Sequence, residues 1–313
     1  MSDDTKSISE EMSGRAYPPR RSFLAKALGL GAAGAGLAAL GTGKDAEAVV
    51  SSAPTDVDIM NFALNLEYLE AEYYTFAVTG KSIEALGIPT TGLNTGGGNP
   101  GPLIIKANPM VPFVTPAIQQ YAVEIAIDEQ KHVQFFRNTL AAFGAQPVAR
   151  PTVDLRNSFL TLGSLIGVPN FDPFADEVSF LLGAYIFEDV GVSAFHGAAR
   201  LIRNKDVLDA AAGILAIEAY HSGLIRTVLF ARGQGPATDA ISDVRRSLGG
   251  SVDYGVDNGP LGMGPKGTAS VVLADANAIA ANRTARQVLN IVYGRVNASS
   301  GLFFPNGLNG TIR

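Results

Sequence analysis

Glu129-Gln130-Lys131-His132 and Glu218-Ala219-Tyr220-His221 are two copies of Glu-x-x-His, each set inside a long apolar segment. A helix turns about every 3.6 residues, so positions i and i+3 share a face. Each copy therefore presents a carboxylate and an imidazole together. The chain holds three histidines, and two of them complete these pairs. One such pair is common by chance on an amphipathic helix, as a solvated acid beside a packed imidazole. Two pairs, with further glutamates alone in other apolar stripes, are a different pattern.

Apolar periodicity and cap residues predict four long helices: A over 57–78, B over 116–143, C over 173–202 and D over 205–232. Helix A has Thr55 and Asp56 as cap candidates. The inward stripe of B reads Ile125, Glu129, His132, Phe136; that of D reads Ile214, Glu218, His221, Ile225, Val228. Helix C offers Leu181, Ala184, Glu188, Val192 and Phe195. An ionised carboxylate buried without a partner is very costly, and a pair of dications would stabilise several at once. The order Glu, Glu-x-x-His, Glu, Glu-x-x-His is that of a di-iron or di-manganese carboxylate four-helix bundle. The expected ligands are Glu67, Glu129, His132, Glu188, Glu218 and His221. Helix A carries Glu67, Glu70 and Glu72. Glu67 is preferred, Glu70 is the alternative or a second contributor, and Glu72 points off that face. Tyr74, two turns beyond Glu67, is placed to hydrogen-bond a ligand or to stand beside the metal. His196 reads as a polar core or rim residue, and Tyr185 and Tyr220 as packing groups.

Between these helices lie a long Gly/Pro/Asn-rich loop at 80–116 and a second irregular link at 145–173 with an apolar piece, Phe159–Ile166. The C–D connection is short, which makes those helices antiparallel neighbours. Residues 235–265 are rich in Gly, Asp and Pro, and one further helix is expected at about 274–294.

The composition narrows the chemistry. The chain has 313 residues, about half of them hydrophobic, which is ample for one sizeable core. It has no cysteine, so thiol nucleophiles, disulfides and iron–sulfur sites are excluded. A metal would have to use carboxylate and imidazole, which suit iron, manganese or zinc. A net charge of −5 without a basic stripe argues against nucleic acid as a partner.

Residues 1–48 read as a twin-arginine export signal. Arg20-Arg21-Ser22-Phe23-Leu24-Ala25-Lys26 is followed by a Gly/Ala-rich stretch and by Ala46-Glu47-Ala48, with cleavage expected after Ala48. The apolar stretch is short and glycine-rich for a spanning helix, which needs ~20 strongly apolar residues. No stable membrane span is therefore expected after cleavage. The expected location is periplasmic or extracellular.

The segment from Asp58 to Tyr74, the run Glu188-Asp189-Val190-Gly191-Val192 through Phe195-His196-Gly197, and Gly301-Leu302-Phe303-Phe304-Pro305-Asn306-Gly307-Leu308 resemble the ferritin-like superfamily, and within it the desiccation-related branch. The resemblance spans about 55–310. It implies an all-α ferritin-like four-helix bundle at 49–234 with a long A–B loop, a C-terminal extension at 235–313, and a dinuclear site at the six residues named above. The expected function is protection under oxidative or desiccation stress, with two Fe or Mn ions reacting with a small oxidant such as peroxide or oxygen. Manganese-catalase-like disproportionation is the sharpest form and a ferroxidase-like step the next. The alternative is a stress-protective or structural scaffold with a vestigial site. Homo-oligomerisation is compatible with either.

Overall fold

A computed structural model describes residues 53–94 and 97–313. The twin-arginine pattern and Ala48 lie outside the described residues. The seven α-helices among the described residues are α1 Asp56–Thr79, α2 Pro116–Ala142, α3 Asn157–Leu165, α4 Glu177–Ala199, α5 Lys205–Ala231, α6 Gly235–Gly249 and α7 Ala285–Val292.

Local chemistry sets the helix ends. Thr55 and Asp58 form a reciprocal capping box at the start of α1, an arrangement worth about 1 kcal/mol. Asp56 is not the cap. Its carboxylate accepts from the backbone N–H groups of Arg203 and Asn204, tying α1 to the α4–α5 turn. Gly80, at φ 71°, closes α1 in the left-handed conformation that favours glycine. Asp176 caps α4, so that helix begins at Glu177 rather than near 173 and ends at Ala199 rather than 202. Glu177 turns back to accept from the Val114 and Thr115 amides, which anchors the start of α2.

Contacts fix the bundle's topology. Gln130 donates to Thr75 and Arg137 donates to Tyr68, so early residues of α2 meet late residues of α1 and the pair is antiparallel. Asp189 meets Ser222 and Tyr185 meets Arg226, so α4 and α5 are antiparallel too. Asp56 lies by Arg203 while Tyr73 donates to the Phe180 carbonyl, so α1 also runs against α4. Helices α2 and α4 are therefore parallel, and the link between them is the single long crossover of a ferritin-like bundle. Strands β1 Leu103–Ile104 and β2 Val153–Asp154 pair in parallel, which zips the α1–α2 loop to that crossover. At Gly101 a Cβ would stand 2.2 Å from the Thr152 nitrogen, so only glycine lets the two loops approach this closely.

Helix α4 is the centre of the molecule. By length and composition α4 and α5 could each cross a membrane, but 78% of the apolar window of α4 is buried inside the protein. Its outer side is covered by the C-terminal extension. That extension differs from the sequence expectation: it holds two helices, not one. Pro236 sits at the start of α6, where proline's missing N–H has no helical partner to lose, so a Pro/Gly-rich stretch opens a helix. Helix α7 begins only at Ala285, because Asp275 accepts from the Asn277 and Ile279 amides and holds the preceding residues in turns. The tail then returns to the bundle. Phe303 and Phe304 are fully buried, and Asn309 exchanges hydrogen bonds with Asn65 of α1.

Candidate metal centre

Two apolar clusters fill the two ends of the bundle. Between them, buried carboxylates and imidazoles from α1, α2, α4 and α5 converge. Glu67, Glu129, His132 and Glu218 each offer one ligand-type atom, all within 4.8 Å of one another, and Glu129, Glu188 and His221 form a second such group. All six expected residues are brought together. Glu129 belongs to both groups through different oxygens: Oε2 lies 3.4 Å from His132 Nδ1 and Oε1 lies 3.1 Å from His221 Nδ1. The pairing across helices was not legible from spacing. Glu218 sits with His132, at 3.5 Å, while its own helix's His221 faces Glu188, also at 3.5 Å.

These approaches are ion-pair distances without hydrogen-bond geometry. Both Glu67 oxygens, both Glu129 oxygens, both Glu218 oxygens, Glu188 Oε2 and the two Nδ1 atoms are buried with no hydrogen-bond partner. Buried polar atoms are nearly always paired, because each one left alone costs about 1–3 kcal/mol. One ligand-type atom from each of four residues converges on one point and one from each of three on a second, a donor set that fits a pair of divalent cations. The ligand types, carboxylate oxygen and imidazole nitrogen, suit iron or manganese.

The surrounding residues orient this set. His221 Nε2 lies 3.2 Å from Asp128 Oδ2, which leaves Nδ1 facing inward. A carboxylate behind a ligating imidazole fixes its tautomer and ring plane. Tyr74 donates to Glu188 Oε1, as its position two turns from Glu67 suggested, so only Oε2 of Glu188 faces the cluster. Gly191 makes room: a Cβ there would stand 2.3 Å from Glu218 Oε2. Asp128 escaped the sequence reading because a half-exposed acid on α2 looks like a solvated charge, and only α2–α5 packing brings it to His221. Gly191 did carry a signal, since a mid-helix glycine costs about 1 kcal/mol relative to alanine and usually has a packing reason.

Glu70 is buried beside the cluster but belongs to neither group; Glu67 is the α1 member. Glu72 leaves the cluster face, as expected, yet it is buried rather than solvated. It pairs with the buried Arg150 and accepts from the Ile83 amide. His196 is a partly buried rim residue, its Nδ1 2.9 Å from the Ala280 carbonyl. Tyr185 packs under two arginines, whereas Tyr220 is 75% exposed and packs against nothing in the core.

The charge balance is tense in the protein alone. Burial pushes the Glu67 carboxyl up to about 8, against the pull of His132. Burial, with Glu129 and Glu188 or Glu70 nearby, lifts Glu70 and Glu218 well above the carboxylate range. Burial opposes charge on both imidazoles, but Glu67 and Glu129 hold His132 well above its ordinary value and Glu188 does the same for His221. Burial would raise Glu129 too, but the two imidazoles outweigh it and hold that carboxylate low. Retained protons thus stand in for part of the positive charge that this acid cluster needs.

Behind the cluster, Asp189 and Ser222, the neighbours of Glu188 and His221, hydrogen-bond each other at 2.7 Å. Asp189 also takes Arg226 at 2.9 Å and Arg245 of α6 at 2.8 Å. Asp253 joins Arg245 and Arg283, each at 2.7 Å. The extension thereby clamps α4 and α5 in register at the level of Glu188 and His221.

Comparison with known proteins agrees with this architecture. The family model for the ferritin-like domain matches residues 55–231. The desiccation-related protein PCC13-62 of Craterostigma plantagineum is 31% identical over 275 residues, covering 82% of this chain and 83% of that protein. The ferritin-like catalase Nec2 of Nesocodon mauritianus is 29% identical over 277 residues, covering 82% of this chain and 84% of that protein.

Proposed function

The chain belongs to the ferritin-like domain family, and from that premise we propose that it is an exported redox metalloprotein that consumes a small oxidant, peroxide first, under oxidative or desiccation stress. The observation that carries this reading is the convergence of buried carboxylates and imidazoles that lack hydrogen-bond partners, four residues on one point and three on a second. Glu67, Glu129, His132 and Glu218 would hold one ion, and Glu129, Glu188 and His221 the other, with Glu129 common to both groups. Bound iron or manganese would supply the electrons exchanged with the oxidant. Asp128 holds the His221 ring in the ligating tautomer, and Tyr74 occupies one Glu188 oxygen so that the other stays aimed inward. For peroxide the net change is two H2O2 to two H2O and one O2, with no other reductant. The relative named a ferritin-like catalase supports peroxide as the substrate, and the relative named desiccation-related supports the physiological setting. Export rests on Arg20, Arg21 and the small-x-small site ending at Ala48.

The test is elemental analysis of the exported protein grown with both metals, followed by peroxide consumption with oxygen release. Close to two ions per chain and stoichiometric oxygen are expected. A folded, exported protein without metal would overturn this reading in favour of a stress-protective scaffold. Replacing Arg20 and Arg21 with Lys should leave precursor in the cytoplasm; unchanged export would remove the localisation.

A further inference from the structure

At the end of the bundle formed by the start of α1 and the end of α2 lies a cavity of about 40 Å³. No charged side chain lines it, and Thr139 supplies its polar character. It begins within one turn of the carboxylate–imidazole cluster. Leu66 precedes Glu67 directly. Phe136 follows His132 by one turn, ~6 Å along the axis. Both residues line the cavity, together with Ala63 of α1 and Ala194 of α4. On its other side the cavity shares Phe135, Thr139 and Val207 with a groove of about 800 Å³ between α2 and α5. That groove reaches solvent at Asn138 and Gly213, which are exposed. Solvent, the groove, the apolar chamber and the cluster thus follow one another along the bundle, with Phe135, Thr139 and Val207 between groove and chamber and Leu66 and Phe136 on the chamber wall nearest Glu67 and His132.

Size and lining select the occupant. An opening of this volume holds a few water-sized spheres at most, which excludes an organic substrate. Water and peroxide would lose hydrogen bonds on entering apolar walls that offer almost none in return, a cost of several kcal/mol. Apolar cavities stay dry and accept nonpolar gas atoms. Dioxygen gives up no hydrogen bond by entering.

We propose, on the redox reading of the neighbouring site, that this cavity is a dioxygen site connecting the cluster to the α2–α5 groove. It serves as the exit for dioxygen released from peroxide, or as the entrance for dioxygen used as the oxidant.

Xenon is the probe, used on the metal-free protein so that the result does not depend on metal loading. Xenon titration followed by 129Xe NMR, or a xenon-pressurised crystal, should place one site between Leu66, Phe136 and Ala194. Ala63→Leu and Ala194→Leu each fill the chamber from a different helix, and the variant that keeps a wild-type circular dichroism spectrum and cooperative melt is the one read. It should lose xenon binding and keep the metal content. In the loaded protein, hindered dioxygen release should lower the maximal rate of peroxide turnover several-fold while leaving the rate at low peroxide unchanged. Xenon bound elsewhere, or bound equally well in a folded, filled variant, would overturn the dioxygen site. A chain that binds xenon here but no metal would retain the gas cavity and sink the redox reading; metal binding without xenon would do the reverse.

Discussion

At the scale of single residues, the roles of the glutamates on α1 and α2 separate cleanly in their expected mutant behaviour. Glu129→Ala removes the carboxylate common to both groups, so metal content should fall to one ion or none by elemental analysis. Glu72→Ala should leave metal content unchanged but lower stability, because Arg150 would keep a buried charge without its partner. Breaking one side of such a pair costs about 3–5 kcal/mol, a clear drop in Tm. Asp128→Ala keeps all six residues of the proposed site but frees the His221 ring, and should weaken metal affinity about 10–100-fold. Gly191→Ala should act similarly, since its methyl group would displace Glu218; normal metal content in that variant would show that Glu218 has slack to move.

Titration follows the same residues. Glu67 is raised from 4.5 to about 8, so between those values the folded metal-free protein binds more protons than the unfolded chain. Stability of the metal-free form should then fall as pH rises through that window. The raised imidazoles have the same sign, since their stabilising charge is lost as pH rises through their folded values. Metal reverses the trend, because ligands must shed protons to bind it and affinity grows with pH. Melts at pH 5, 6, 7 and 8, with and without manganese, check this: the metal-free Tm should decline and the loaded Tm should rise. A metal-free Tm that climbs across the range would contradict the raised carboxyls.

At the scale of elements, the extension braces the site rather than merely covering it. Arg245 on α6 holds Asp189 and Asp253, and Asp189 in turn holds Ser222 next to His221. Arg245→Met leaves two buried aspartates short of a partner. It should destabilise the fold and also lower occupancy of the ion proposed for Glu188 and His221 more than that of the other. Single-equivalent metal titration, followed by spectroscopy of a cobalt- or manganese-substituted form, would resolve the two positions. The helices themselves were legible where the chain advertises them. Apolar periodicity located α1, α2, α4 and α5, and Gly80 marked the end of α1. Helix α6 was hidden because Gly235 and Pro236 are loop formers by composition, yet at a helix start they cost nothing. The start of α7 was misplaced because an Asp275 turn competes with helix, a preference set by one side chain and its neighbours' amides.

At the scale of the whole molecule, the proposed metal would be linked to folding. Ions that bind only the native bundle stabilise it by about 2.7 kcal/mol at a hundredfold excess over Kd. Wild-type Tm should therefore depend on metal, and the dependence should vanish in Glu129→Ala. The six converging side chains, the bundle class and the acid–imidazole chemistry were all readable in the sequence. A helix repeats every turn, so Glu-x-x-His and an isolated glutamate in an apolar stripe carry their own geometry. What the sequence left open is what depends on contact between distant segments. Glu129 spans both groups, and Glu218 joins His132 instead of its own helix's His221. Asp128 reaches across to His221, Glu72 is neutralised by Arg150 from the crossover, and an apolar chamber lies one turn from the acids. Each of these is set by the crossing and rotation of packed helices, which follow from the shapes of all the side chains between them and not from spacing along any one segment.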